Sequence, residues 1–395
     1  MALAVAVVVC AIAARAAGDD WDAVLAEARN QTVYWNAWAG DERNNRYIRW
    51  VAAEMKRRFG VEVRHVKLSD TAEAVSRVVA EKAAGRGEGG SVDLIWINGE
   101  NFASMKRLGL LFGPFSERLP NYRMVDTNSL PTLTDFTVPV DGMEAPWSVG
   151  RFVLMHDRER MPSPPRNPKA LLAWATANPG RFAYPQPPDF LGTTFLKQLL
   201  VSLATDRKSL HAPVSDAEFT RISEPLWRYL DGLHPVLWRR GRAFPASGPA
   251  LTRLLSDGEV DVSLAFSSDA ASNAIHEGQL PATVRTFVFE DGMIGNASFL
   301  AIPFNARAKA GAQVLVDFLL SPAAQARKQD PREVGSQTVL AIAKLKQEDR
   351  ALFDMLPRGV ATLSNEELGP LVPEPHPFWT ERLEKEWRRR YGTGR

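Results

Sequence analysis

The sequence predicts an α/β protein of two domains. Each is a mainly parallel sheet flanked by helices, and two hinge crossings join them. Three observations carry this. At 395 residues the chain has room for two domains, at roughly 100–200 residues each. Strand-like runs alternate with amphipathic helical runs, the order that gives a parallel sheet with right-handed crossovers. Four of those strands run directly into small, polar or aromatic residues and then into a helix. In open α/β sheets ligands sit beyond the carboxyl ends of the strands, where helix N-termini offer backbone N–H groups.

Taken in order, Leu3 to Ile12 is an unbroken apolar run, followed by Ala14-Arg15-Ala16 in the A-x-A cleavage pattern. It is shorter than the roughly 20 residues that span a bilayer. Residues 1–17 therefore read as an export signal, although no Lys or Arg precedes the run, and a periplasmic location follows. The only cysteine, Cys10, lies inside the signal, so the exported chain has no thiol, disulfide or cysteine ligand. Val7-Val8-Val9 before it makes a poor lipoprotein box.

Residues 18–148 form the first part of domain I. Gln31 to Trp38 is a strand by its aromatic and β-branched content. Asp41 caps a helix with Tyr47, Ile48, Val51, Met55 and Phe59 on one stripe, ended by Gly60. Val61 to Val66 is a strand, and Asp70 with Glu73 caps the next helix. Val92 to Ile97 is a continuous apolar strand of the kind buried on both faces. The Gly85–Gly90 stretch precedes a strand, whereas a phosphate loop follows one, so it reads as a flexible connection. Glu144 to Met155 is the first crossing. Domain II, residues 149–290, holds a strand at Arg181–Pro185, helices at Thr193–Leu203, Glu218–Leu233 and Gly248–Ser256, a strand expected at Pro235–Arg240 and another at Val260–Phe266. Residues 291–395 return to domain I and end in helices. Two strands, Val284–Phe289 and Ser298–Pro303, separated by turns at Asp291-Gly292 and Gly295-Asn296, are expected to form the return crossing between the domains. The hinges fall at Ala145–Leu154 and Phe287–Ile302.

The four corners supply the candidate ligand-binding residues. At the first, Trp38 offers a stacking ring, Gly40 lets backbone approach and Asp41 caps or binds. At the second, Asn98, Glu100 and Asn101 follow six apolar residues. Trp147 lies on the crossing. In domain II, Tyr184 precedes Gly192, Thr193 and Thr194, whose hydroxyls and N–H groups suit an anion. Ser267, Ser268 and Asp269 repeat that arrangement, and Asn296 stands on the return crossing. The rings of Trp38, Trp147, Tyr184 and Phe190 with the acids Asp41, Glu100, Asp189 and Asp269 suit an organic cation instead. The second set is favoured over the small anion.

Longer strings carry a resemblance. Trp35-Asn36-Ala37-Trp38-Ala39-Gly40-Asp41-Glu42-Arg43-Asn44-Asn45-Arg46-Tyr47-Ile48 and Asp93-Leu94-Ile95-Trp96-Ile97-Asn98-Gly99-Glu100-Asn101-Phe102, with Gly109 to Pro114 after them, resemble the YnjB-type subgroup of type II periplasmic solute-binding proteins of ABC importers. The resemblance covers the mature chain. It implies solute capture in an interdomain cleft and delivery to an ABC permease, and it leaves the cargo open, a thiamine-like compound being one possibility.

Other classes fit less well. A net charge of +2 gives no field for nucleic acid, and no repeat or anchor marks an adhesive protein, so a monomer without a nucleic-acid partner is expected. The six histidines are scattered, so no metal site and no cofactor is predicted. No G-x-S-x-G elbow is present. Thiamine-degrading enzymes of this fold use a cysteine that the mature chain lacks. The alternative is a secreted α/β hydrolase or transferase with two carboxylates facing across the cleft, such as Glu100 and Asp269.

Overall fold

The computed structural model describes residues 21–392 of the chain; the expected signal at residues 1–17, with Cys10, lies outside them. In lobe I, strands β1 (Thr32–Trp38), β2 (Glu62–Leu68) and β3 (Leu94–Ile97) run parallel, linked by α1 (Glu42–Phe59) and α2 (Ala72–Ala83) and followed by α3 (Glu100–Arg107). Local chemistry sets these bounds. The Asp41 carboxylate accepts from the Arg43 N–H at the start of α1, and Gly60, at φ 69°, closes it. Tyr47, Ile48, Val51 and Met55 form its buried stripe. A short hairpin, β4 (Thr134–Asp135) and β5 (Val138–Pro139), covers the start of α3.

The chain crosses to lobe II along β6 (Glu144–Arg151) into β7 (Val153–Asp157). Lobe II then adds α4 (Pro168–Ala177), α5 (Phe190–Leu203), α6 (Asp216–Leu233), α7 (Gly248–Ser256), β8 (Val262–Ala265), α8 (Ala270–His276) and β9 (Val284–Phe287). The return strand, β10 (Met293–Ala301), pairs antiparallel with β6, so the two crossings lie side by side. With β11 (Leu371–Pro373) at its edge, the lobe I sheet has the order β11-β10-β3-β1-β2 with β6 on the other edge of β10; in lobe II the order is β8-β7-β9. In each lobe the strand that runs against its neighbours is a crossing strand: β10 against β3, and β7 against β8 and β9. The fold class is the type II two-lobe architecture expected from the sequence.

Three local expectations are corrected. Residues 293–301 form one strand through Gly295-Asn296, not a turn. A side chain at Gly295 would meet the Gly150 carbonyl and Leu371, so this glycine serves close strand approach. Pro235–Arg240 is two 3₁₀ turns, with Arg239 and Arg240 in left-handed conformation. Arg181–Pro185 contributes only a single bridge, Phe182 to Val262.

After β10, helices α9 (Lys309–Leu319), α10 (Pro322–Gln329) and α11 (Gln347–Asp354) complete lobe I, burying Val314, Leu315 and Phe318 with Trp35 and Val51. The last segment does not stay there, contrary to the expectation that residues 291–395 return to the first domain. It comprises α12 (Asn365–Leu368), β11 (Leu371–Pro373) and α13 (Pro377–Tyr391). Trp379, Leu383 and Trp387 of α13 join the lobe II core with Phe195 and Leu199. Burial of each such side chain is worth about 1.5–3 kcal/mol, which fixes α13 to that lobe. Helix α13 also touches α3 of lobe I, so the C-terminal segment straddles the cleft.

Candidate functional site

On the lobe I side, Trp38 ends β1 and remains 36% exposed. Its ring lies on Gly40, where an added Cβ would come within 2.2 Å of it, and edge-on to Trp96 at 6.5 Å. Asp41 is engaged with its own helix and with the Arg43 guanidinium at 3.1 Å. At the second corner Gly99 has φ 62°, and its N–H donates to Asp135 Oδ2 at 2.7 Å. Glu100 opens α3 half-buried, and burial raises its pKa against the pull of Lys197. Asn98 and Asn101 flank it, also half-buried.

The lobe II corners are more self-contained than the sequence suggested. Asp189 caps α5 and accepts from the N–H groups of Leu191 at 2.9 Å and Gly192 at 3.3 Å, so these are not free for a ligand. A side chain at Gly192 would lie 2.1 Å from the Pro185 carbonyl, so Gly192 is a packing requirement. The Thr194 hydroxyl donates to Phe190 O at 2.7 Å within its own helix. Thr193 donates to Glu384 at 2.7 Å. Tyr184 is a core residue of lobe II; its hydroxyl accepts from Trp387 Nε1 at 2.8 Å and meets His234 at 2.6 Å. Ser267 donates to the Gly335 carbonyl at 2.9 Å and Asn273 to the Val334 carbonyl at 3.0 Å, bonds that tie lobe II to lobe I. Asp269 accepts from Thr362 at 2.7 Å and from Ser268 at 3.4 Å. Its carboxylate is thus already engaged by two hydroxyls.

Where the lobes meet, a buried polar cluster joins Phe190, Asn296 and Glu100 to residues the sequence reading did not single out. Lys197, on α5, pairs with Glu374 at 2.7 Å, with side-chain exposures of 2% and 1%. Its ammonium lies 4.4 Å from the Phe136 ring centre and 5.9 Å from that of Phe190, which packs edge-on to Phe266. Asn296 donates to Glu374 at 3.0 Å, while its buried Oδ1 has no partner. Burial, with Glu100 nearby, pushes the Glu384 carboxyl up to about 7 against the opposing charge of Lys197. Three carboxyl groups, Glu100, Glu374 and Glu384, thus gather around one ammonium. Behind them Asp135 and Glu144 are fully buried, and burial carries both well above the usual carboxyl range. Among the described residues neither oxygen of Glu144 has a partner.

One signal was available: Lys197 is the single charge in the apolar run Phe190–Leu203. Glu374 and Glu384 were hidden by the assignment of the last segment to the other domain. Trp147 is placed beneath the site, not at its surface. It is fully buried, 5.4 Å from Trp35 and 4.9 Å from Trp96 between ring centres.

Residues 50–330 match the model of the bacterial extracellular solute-binding proteins. Protein YnjB of Escherichia coli (strain K12) is 47% identical over 375 residues, 95% of this chain and 94% of that protein. Among solved structures, the periplasmic binding protein AfuA from Actinobacillus pleuropneumoniae, with fructose-6-phosphate bound, superposes with a TM-score of 0.62 at 14% identity, covering 92% of this chain and 99% of that one. The spermidine/putrescine substrate-binding protein PotD from Streptococcus pneumoniae superposes with a TM-score of 0.61 at 12% identity, covering 91% and 99%. At such identities the structures speak for the fold, and the family rests on the sequence matches. With a two-lobed frame, side-by-side crossings and a polar cleft between the lobes, the chain belongs to the bacterial extracellular solute-binding proteins, in the YnjB-type subgroup, with the function of capturing a small solute for an ABC import system.

Proposed function

We propose that the cleft captures a small organic cation and holds it, unchanged, for delivery to an ABC permease from the periplasm. The observation that carries this is the imbalance at Lys197: Glu100, Glu374 and Glu384 share one ammonium between the lobes. Buried carboxylates are stable only when paired or protonated, and a solute cation supplies the missing charge. The unpartnered Oδ1 of Asn296 is an acceptor waiting for an N–H donor at the same place. Trp38, Phe136, Phe190 and Phe266 offer ring faces and edges, worth about 0.5–2 kcal/mol per cation–π contact.

Closure follows the same logic. Arg43 and Arg46 of α1 approach Glu277 of lobe II at 3.8 and 3.4 Å, and Ser267 and Asn273 bond to the loop after α10. These contacts belong to a closed state, with the hinges on β6–β7 and β9–β10. A solute shifts the balance only by its preference for that state, on the order of 5 kcal/mol for a nearly complete shift. No bond is made or broken in this scheme, and the protein acts as a monomer.

The test is a thermal-shift screen of the mature chain against polyamines, quaternary amines, thiamine-like heterocycles, amino acids, sugars and oxyanions. A ligand that binds only the native state raises the melting temperature. Hits confined to cations, with the solute recovered unchanged, support the reading. Hits confined to oxyanions or sugars overturn it.

A further inference from the structure

Beneath the cleft floor in lobe I, four side chains meet: Trp35, Trp96, Trp147 and Lys328. Lys328 leaves the last turn of α10 with its Nζ 3.1 Å from the ring centre of Trp147 and 5.9 Å from that of Trp96. The residue is 1% exposed. Its one hydrogen-bond partner among the described residues is the Trp147 carbonyl at 3.5 Å, the long limit for such a bond. That carbonyl already accepts from Gln325 Nε2 at 3.0 Å. The indole N–H groups of Trp35 and Trp147 are buried and have no acceptor among the described residues.

Among the described residues, then, Lys328 has one distant, already occupied acceptor, and the two neighbouring indole N–H groups have none. More than about nine in ten buried polar groups in folded proteins find a partner, so a cluster of this kind marks a missing acceptor. Two polar groups beside it are already engaged: the Tyr47 hydroxyl donates to Ala324 O, and Gln325 Oε1 accepts from the Thr338 hydroxyl and the Val339 N–H. Burial alone holds the Lys328 amine well below its ordinary pKa. An arriving anion would restore its charge.

Access runs through Trp96. That ring is half-buried, packs against Trp147 on its inner side and meets the exposed Trp38 on its outer side. Trp96 stands on β3, separated by β10 from the hinge strand β6 that carries Trp147.

We infer that Lys328, with the Trp35 and Trp147 indole N–H groups, forms a second pole of the cleft that takes the carboxylate or other oxyanion end of the solute. The solute is then dipolar, with its cationic end among Glu100, Glu374 and Glu384 and its anionic end admitted past Trp96. This rests on the cation reading for the first pole only. A neutral lysine filling core space is the plain alternative, and it predicts no effect on ligand choice.

The experiment titrates the mature chain, by calorimetry and tryptophan fluorescence, with matched probes: 4-aminobutyrate, butylamine and butyrate, and trimethylglycine beside tetramethylammonium. The expected result is that wild type binds a dipolar probe at least about tenfold tighter than its carboxyl-free partner, the scale of one charge-assisted hydrogen bond. Lys328→Met erases that preference and leaves amine affinity unchanged. Lys328→Gln serves as the second variant should Met perturb folding, and the wild-type comparison needs no variant. Equal affinity for dipolar and carboxyl-free probes overturns the second pole and leaves the cation reading standing. A preference that survives in both variants also overturns it. Binding of butyrate but of no amine, lost in Lys328→Met, supports the second pole and removes the cation reading.

Discussion

Two lysines are buried at this site, and their surroundings are opposite. Lys197 lies between the lobes with Glu374 in contact and two further carboxyl groups near it. Lys328 lies in lobe I against the faces of indoles, with a carbonyl at 3.5 Å and no carboxylate. One is overcompensated and the other uncompensated. The comparison teaches that the charge a cleft lacks is read from the partners of its buried ions, not from the residue types that line it.

The largest expected effect breaks this contrast directly. Glu374→Ala leaves Lys197 buried without its partner, which costs about 3–5 kcal/mol of stability. Lys328→Met removes an amine that has no charged partner among the described residues and only the distant Trp147 carbonyl to lose, and a similar stem fills the space, so stability is unchanged or raised. Urea midpoints of the two variants measure the difference. Equal losses would mean that both lysines are paired in solution and would erase the distinction.

The next effect is on binding. Trp38→Ala combined with Glu100→Ala removes an exposed ring and one of the three carboxyl groups while leaving the buried cores of both lobes intact. Affinity for a cationic solute falls by about 2–4 kcal/mol, tens- to hundreds-fold, and the melting temperature of the unliganded protein stays near wild type. Undiminished affinity would move the site elsewhere in the cleft.

The parts of this site that were legible in the sequence share a feature: they lie where a regular element meets a corner. The fold class, the strands before Trp38 and Asn98, and the Asp41 cap all follow from periodicity and local hydrogen bonding, which reach only a few residues along the chain. What was not legible depends on long-range placement. Glu374 and Glu384 look like surface acids in a polar C-terminal segment until Trp379, Leu383 and Trp387 anchor that segment on lobe II. Tyr184 seemed cleft-facing because it precedes a corner, but Trp387, 203 residues away in sequence, holds its hydroxyl in the core. Thr194 and Gly192 looked like an anion site. Asp189 and the helix's own carbonyl had already taken those groups, a competition that sequence spacing does not reveal.

A smaller effect concerns pH. Glu384 is raised to about 7 by burial and by Glu100, with Lys197 and Arg388 pulling the other way and Thr193 donating to it. A carboxyl whose folded pKa lies above its unfolded value binds a proton more tightly when folded. Its relative stabilisation is full below the unfolded pKa and is lost as pH rises through about 7. A cation needs the ionised form, so the binding trend runs the other way. Affinity is highest above pH 7 and falls below it by up to about tenfold per unit, where the solute must displace the proton. Glu384→Gln flattens this dependence, leaving the weaker slope of Glu100. A profile identical in wild type and Glu384→Gln would place the cation away from Glu384 and shift the acidic pole toward Glu374.

The smallest effect separates closure from capture. Glu277 faces Arg43 and Arg46 across the cleft mouth, with side-chain exposures of 26%, 17% and 46%. Pairs this wet are worth about 0–1 kcal/mol, so Glu277→Ala leaves folding stability almost unchanged. The same fraction of a kcal/mol acts differently on an open–closed balance, because these contacts exist only in the closed state. A loss of about 0.5 kcal/mol there shifts the open-to-closed ratio roughly twofold. Small-angle scattering of the unliganded variant should therefore show a modest increase in radius, reversed by saturating solute, with binding weakened by no more than that ratio. A weakening as large as that of the Trp38–Glu100 double variant would make the cleft mouth part of the binding site instead of its clasp.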